Sequence, residues 1–131
     1  MLKHALAALL VAGCASMHDS RCAQGAEPVI QDTLYFGTAM PGGTISDRDF
    51  QTFVQETVTP RFSDGLTTWQ ASGQWRGSDG KLVQEPSHVL LVVHPRDAKT
   101  GDGIAEIVQA FKSRFHQEAV LRVQSEACAS F

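Results

Sequence analysis

The sequence predicts one α+β domain of the ferredoxin-like type, with a four-stranded antiparallel sheet and two helices on one face. The first observation is the order of its apolar patterns, which run strand, helix, strand, strand, helix, strand. The second is its size and composition, because 131 residues with 43% hydrophobic and 19% charged side chains suit a single folded domain. The usual strand order of such a sheet, 4-1-3-2, is therefore expected.

The first half of the domain contains two strands and a helix. Residues 32–38 alternate between apolar and polar side chains and predict the first strand. Ser46 predicts a helix start, since Asp49 follows three residues later as a shortened capping box, and Thr59-Pro60 predicts the helix end. Residues 66–76 predict a long second strand.

The second half repeats the pattern in the order strand, helix, strand. Residues 88–94 are almost continuously Val and Leu, as expected for a central strand with both faces covered. Asp102 is the expected cap of the second helix, whose apolar residues recur at helical spacing up to Phe115. Residues 119–124 predict the last strand.

Alternation along these strands predicts which side chains face the helices and which face away. Leu34, Phe36, Trp69, Trp75, Leu91 and Val93 are expected on the helix side. The other side is then expected to carry Tyr35, Gln74, His88 and Arg122 around the apolar Leu90 and Val92. Such a mixed surface would bind a second subunit, an envelope protein, a small apolar ligand or the tether of the same chain, or it would be a modest exposed patch.

The first residues are typical of an export signal. Lys3 is followed by a short apolar run and then by Val11-Ala12-Gly13-Cys14, which resembles the bacterial lipobox with Cys14 as the acylated residue. The sequence therefore predicts a signal peptide over residues 1–13, a tether over 14–30 and the domain over 31–131. Ala15 favours sorting to the outer membrane, facing the periplasm; the alternative is a plain signal peptide with an unmodified Cys14.

A disulfide between Cys22 and Cys128 is expected. These are the two cysteines that remain once Cys14 is acylated, and an exported compartment is oxidising. In the 4-1-3-2 order the end of the last strand lies beside the start of the first, which brings the two cysteines together. The alternative is a pair of free thiols.

Other function classes have little support in the sequence. A net charge of −3 with scattered basic residues disfavours nucleic-acid binding. No phosphate loop, nucleophile elbow or paired-cysteine motif occurs, and we expect no cofactor. His88 and His94 lie six residues apart on one strand, about 20 Å, which is too far to bind one metal ion.

From Leu34 onward the chain resembles a bacterial family known as domain of unknown function 3574. The matching stretches include Leu34-Tyr35-Phe36-Gly37, Gly73-Gln74-Trp75-Arg76-Gly77 and Glu85-Pro86-Ser87. The resemblance implies a small envelope domain behind a lipoprotein signal, and it implies no substrate or catalytic residue.

Two functions are consistent with these observations. The first is a non-enzymatic binding module of the cell envelope, attached to the membrane through its lipid. The second is a small enzyme with an apolar pocket on the open sheet face, in the manner of dimeric α+β barrels, which rests on analogy between folds.

Overall fold

The computed structural model describes residues 22–131, so the predicted signal peptide and Cys14 lie outside the described residues. The main sheet contains β1 (Glu27–Gly37), β4 (Thr67–Arg76), β5 (Leu82–His94) and β6 (Leu121–Ala129). Its order is β4-β5-β1-β6, with every neighbouring pair antiparallel. Counted along the chain this is the predicted 4-1-3-2 order, and the ferredoxin-like α+β fold is confirmed.

Two helical segments follow the predicted positions. The first comprises α1 (Asp47–Phe53) and a π-helical continuation, Val54–Val58. Its capping box is present, because Ser46 Oγ accepts from the Asp49 N–H while the Asp49 carboxylate accepts from the Ser46 N–H. The second is α2 (Ala98–Phe115), which ends at His116 in the left-handed conformation.

The start of α2 differs from the prediction. Asp97, not Asp102, is the N-cap, and its carboxylate accepts from the N–H and the hydroxyl of Thr100. The backbone of Asp97 is extended, as a cap requires. The helix therefore includes Gly101 and Gly103 and begins about one turn earlier than the apolar spacing indicated.

Three strands, β1, β5 and β6, are longer than predicted, and β6 continues to Ala129. β1 begins at Glu27, so residues 27–30 of the expected tether belong to the sheet, where Ile30 is buried. β5 extends back to Leu82 and contains Pro86, which pairs with Ser72 of β4 beyond the last β1 partner of β5. A proline is tolerated there because β5 has a neighbour on one side only. A short hairpin, β2 (Ala39–Met40) and β3 (Gly43–Thr44), joins β1 to α1.

The core lies between the helices and one face of the sheet. Leu34 and Phe36 of β1 are fully buried there, as predicted, together with Leu90 and Val92 of β5. The helices contribute most of a group of phenylalanine rings whose centroids lie 4.5–6.5 Å apart: Phe36, Phe50, Phe53, Phe111 and Phe115.

The side assignment is wrong for β4 and β5, and for Arg122 of β6. Leu34 pairs with Leu90 and Phe36 with His88, so the even-numbered residues of β5 face the helices, and Leu91 and Val93 face away. Trp69 pairs with Val89, which places both tryptophans of β4 on the side away from the helices. Nearly every residue from 88 to 94 is apolar, so alternation could not identify the inward positions of this strand.

A disulfide joins Cys22 to Cys128, as predicted, with Cα atoms 5.6 Å apart. Cys128 lies in β6 and pairs with Pro28 of β1. The bond therefore holds the residues that precede β1 against the end of the sheet edge.

Candidate binding face and the polar cluster behind it

The four predicted site residues do not share a surface. Tyr35 lies on the side of the sheet away from the helices and is 40% exposed. Arg122 pairs with Leu34, so it lies on the helix side. His88 is buried on the helix side as well, and Gln74 is exposed and hydrogen-bonded to Gln84 on that side. The predicted common face is therefore wrong, because only Tyr35 of the four residues lies on the side away from the helices.

The side away from the helices, which we call the open face, is strongly apolar. Six of its side chains are large, hydrophobic or aromatic, and between 40 and 60% exposed: Tyr35, Trp69, Trp75, Val93, Leu121 and Val123. Val89 at its centre is buried beneath them. Among the open-face positions of the four strands the charged residues are Glu85 and, at the far end of β1, Glu27.

Glu85 is tightly bound within the sheet. Its Oε2 accepts from the N–H groups of Thr38 and Ala39 at 3.0 and 2.6 Å, and its Oε1 accepts from the Trp75 indole at 2.8 Å. Gly37 leaves room for this carboxylate, since a Cβ there would come within 2.8 Å of Oε1. Gly37, Trp75 and Glu85 come from the three stretches quoted above, which therefore meet in one cluster that holds the backbone after β1 to β5.

A second polar cluster lies on the helix side around Asp32, whose side chain is completely buried. Arg122 donates to both of its oxygens, from Nε at 2.7 Å and from a terminal nitrogen at 2.9 Å. His94 Nε2 lies 2.8 Å from Oδ2, and the Gln124 amide lies within 3.5 Å. Every buried side-chain nitrogen and oxygen in residues 22–131 has a hydrogen-bond partner, as a buried charge requires.

The pKa values of this cluster follow from its contacts. Burial on its own raises the pKa of Asp32, but the hydrogen bonds from Arg122, His94 and Gln124 outweigh it and hold that pKa below the ordinary value. Hydrogen bonding to Asp32 raises the pKa of Arg122. The two groups are therefore a stable ion pair at neutral pH.

His94 connects the cluster to a cavity of about 290 Å³ at the start of α2. Its Nδ1 lies 2.7 Å from the carbonyl oxygen of Pro95, while Nε2 contacts Asp32. Both ring nitrogens are thus occupied by protein oxygens. Gln124, Arg96 and Ile30 also line the cavity, and Arg96 is paired with Glu126.

His88 lies beside a second, smaller cavity of about 80 Å³ that Gln51, Gln70 and Trp69 also line. Its ring stacks on Phe50 with centroids 4.1 Å apart, and Nε2 lies 3.7 Å from Asp47. Burial lowers the pKa of His88, and the Asp47 charge opposes this only in part. His88 is thus a neutral ring in the wall of the core.

Sequence reasoning missed the role of Asp32, the hydrogen bonds of Glu85 and the exposure of both tryptophans. Asp32 carried a signal, since it shares parity with the buried Leu34 and Phe36 and so had to face the core with a cationic partner. Glu85 carried none, because two of its three donors are backbone groups 46 and 47 residues away in the chain.

The residues that the structure describes contain no group of three or more His, Cys, Asp or Glu side chains placed to hold a metal ion. No helix within residues 22–131 has the length and apolar character needed to cross a membrane.

A family model described as "Protein of unknown function (DUF3574)" matches residues 31–131. The chain belongs to the DUF3574 family. The match includes β1 from Gln31 onward, all of β4, β5 and β6 and both helices, and therefore the six apolar side chains of the open face and the Asp32 cluster. No curated protein matches the chain.

Two solved structures, of differently named proteins, share this fold. A phage SAM lyase in complex with S-methyl-5′-thioadenosine has a TM-score of 0.56 and 15% identity, over 85% of this chain and 94% of that one. CutA from Synechococcus elongatus has a TM-score of 0.53 and 9% identity, over 79% of this chain and 80% of that one. At such identities the likeness shows the fold alone.

Proposed function

We propose that this DUF3574 protein is a non-enzymatic interaction module of the bacterial cell envelope, attached to the outer membrane by lipid on Cys14. Its open face is the binding surface, and the partner is a predominantly apolar protein surface. The observation that carries the proposal is the group of six large apolar side chains, exposed together on a face with two carboxylates and no basic residue. Exposed apolar patches of this kind are typical of interaction sites.

The chemistry of the ionisable groups also supports binding over catalysis. Asp32 and Arg122 are paired with each other, and both nitrogens of His94 contact protein oxygens. The carboxylate of Glu85 is occupied by three donors. These groups stabilise the sheet, and the apolar side chains are left for recognition.

Membrane attachment is tested with Cys14→Ser in the full chain. We expect the wild-type protein in the membrane fraction, with a mature N-terminus at Cys14 that carries the mass of its acyl groups. The Cys14→Ser protein should leave that fraction, since stable anchoring needs the acyl chains. Membrane retention of the variant, or a wild-type mature chain that begins elsewhere, contradicts the anchor.

The binding surface is tested by hydroxyl-radical footprinting of the full chain in cells and as dilute purified protein. Trp69 and Trp75 should be oxidised more slowly in cells, because a partner covers them there. The exposed Phe131 at the chain end is an internal control whose oxidation should not change. Equal oxidation of both tryptophans in the two conditions contradicts the proposal.

A further inference from the structure

We infer that the partner of the open face is the open face of a second copy of this chain, so that two sheets stack face to face. The inference rests on the proposed function and names its partner. In such a two-fold pair each copy contributes the same residues, so the surface must be compatible with itself.

The charges of the open face satisfy this condition. Two copies of a basic or acidic face would repel each other, but here one of the two carboxylates, Glu85, lies where β5 extends beyond its last β1 partner and is held by Thr38, Ala39 and Trp75. Glu27 lies at the first position of β1, where it would be at the rim of a stacked pair. No unpaired charge would be buried at the centre, which is where such burial is costly.

The size of the face also fits a dimer. The four strands contain 9 to 13 residues each, and at ~3.4 Å by ~4.8 Å for each residue the sheet covers roughly 700 Å². Specific interfaces bury about 800 Å² on each partner. A sheet packed on this face at the usual ~10 Å spacing would therefore form an interface of standard size.

The face is already ordered, which lowers the cost of association. Its side chains stand on paired strands, the Trp75 indole is fixed by Glu85, and Val89 is buried between its neighbours. Rigid aromatic side chains at the centre of an interface lose little conformational freedom on binding. Lipid is a less suitable partner, because the face lacks the Lys and Arg side chains that attract anionic headgroups.

The test is photo-crosslinking in cells that express two differently tagged forms of the full chain. Benzoylphenylalanine replaces Leu121, which is 60% exposed on the open face, or, as the matched control, Leu82. Leu82 is 54% exposed and lies on the helix side of the sheet, opposite Arg76. We expect an adduct of twice the chain mass that contains both tags from position 121 and not from position 82.

Charge substitution in the same experiment adds a second readout. Val93→Asp puts a carboxylate on the open face and should reduce the adduct from position 121 by about tenfold or more. Leu82→Asp should leave that adduct unchanged, and similar thermal midpoints show that both variants fold.

The outcomes distinguish failure of the second copy from failure of the binding face. An adduct that contains one tag and a different protein overturns the second copy and leaves the proposed binding face in place. A doubly tagged adduct that resists Val93→Asp overturns stacking through the open face. No adduct from position 121, together with unprotected tryptophans in the footprint, overturns both.

Discussion

At the scale of single residues, the Asp32 cluster is the main set of buried polar contacts on the helix side of the sheet. A carboxylate in the row of Leu34 and Phe36 would be very costly alone. The register removes the cost, because Gln124 lies directly opposite Asp32. Arg122 lies opposite Leu34 and His94 lies opposite Ile30, which are the next residues of β1 on the same face. Three strands therefore cooperate to keep one charge inside the domain.

We predict that Asp32→Asn destabilises the protein by about 3 kcal/mol at pH 7, since removing one partner of a buried pair leaves the other uncompensated. The value is at the low end for such pairs because the Arg122 side chain is 30% exposed. Urea unfolding of the full chain measures it. Glu56→Gln, which breaks the exposed pair with Arg114, is the control and should cost under ~1 kcal/mol.

The same pair predicts a pH dependence. The pKa of Asp32 is lower in the folded protein than its ordinary value of 3.8, so the unfolded chain binds the proton first as the pH falls. Its stabilising effect is complete well above pH 3.8 and is lost as the pH falls toward the folded pKa. The difference between wild type and Asp32→Asn should therefore be constant near neutrality and shrink below pH 4; a constant difference down to pH 2 contradicts the ion pair.

We predict that the Glu85 carboxylate needs the space that Gly37 leaves by having no side chain. A Cβ at Gly37 would displace Oε1, the atom that accepts from the Trp75 indole. Gly37→Ala should cost about 1 kcal/mol, the value of a typical hydrogen bond, and should shift the indole N–H resonance of Trp75. Gly43→Ala, where the added Cβ meets nothing within 4 Å, should leave that resonance in place.

At the scale of elements, the sequence predicts what local chemistry controls and fails where tertiary pairing decides. The capping box at Ser46 and the stripe of α2 are local, and both are present. The side on which Trp69 lies is decided by its pairing with Val89 of the neighbouring strand, which is a tertiary contact. An apolar residue on an open face and one in a core look the same in a strand pattern.

The start of α2 gives a prediction at this scale. Asp97→Ala should lower the thermal midpoint by about 4 °C, because the Thr100 N–H loses its acceptor at the helix start. Asp102→Ala should change it by less than about 1 °C, since Asp102 lies inside the helix. Circular dichroism melts of the full chain compare the two, and the reverse ranking would mean that the helix starts at Asp102.

At the scale of the whole molecule, the topology could be predicted because few arrangements satisfy the order of strands and helices. Right-handed crossovers and short connections favour the 4-1-3-2 order once six elements are recognised. The predicted disulfide follows from that order, since it brings the start of β1 beside the end of β6. The sequence predicts that one face of the sheet is open. It does not predict which residues lie on that face, because this depends on the register of every strand.

The disulfide is also the basis of the last prediction. Cys22 and Cys128 are separated by 106 residues, and the chain-entropy model gives about 4–5 kcal/mol for closing such a loop, as an upper value. The Cys22→Ala/Cys128→Ala protein should therefore unfold at lower urea than the oxidised wild type, and at the same urea as the reduced wild type. The fold should persist, because β1 and β6 are also joined along their full ladder from Glu27 to Tyr35.

Alkylation of the unreduced, denatured wild-type protein should leave both cysteines unmodified. Labelling of either one, or equal stability of the oxidised wild type and the double variant, would mean that the bond does not stabilise this domain.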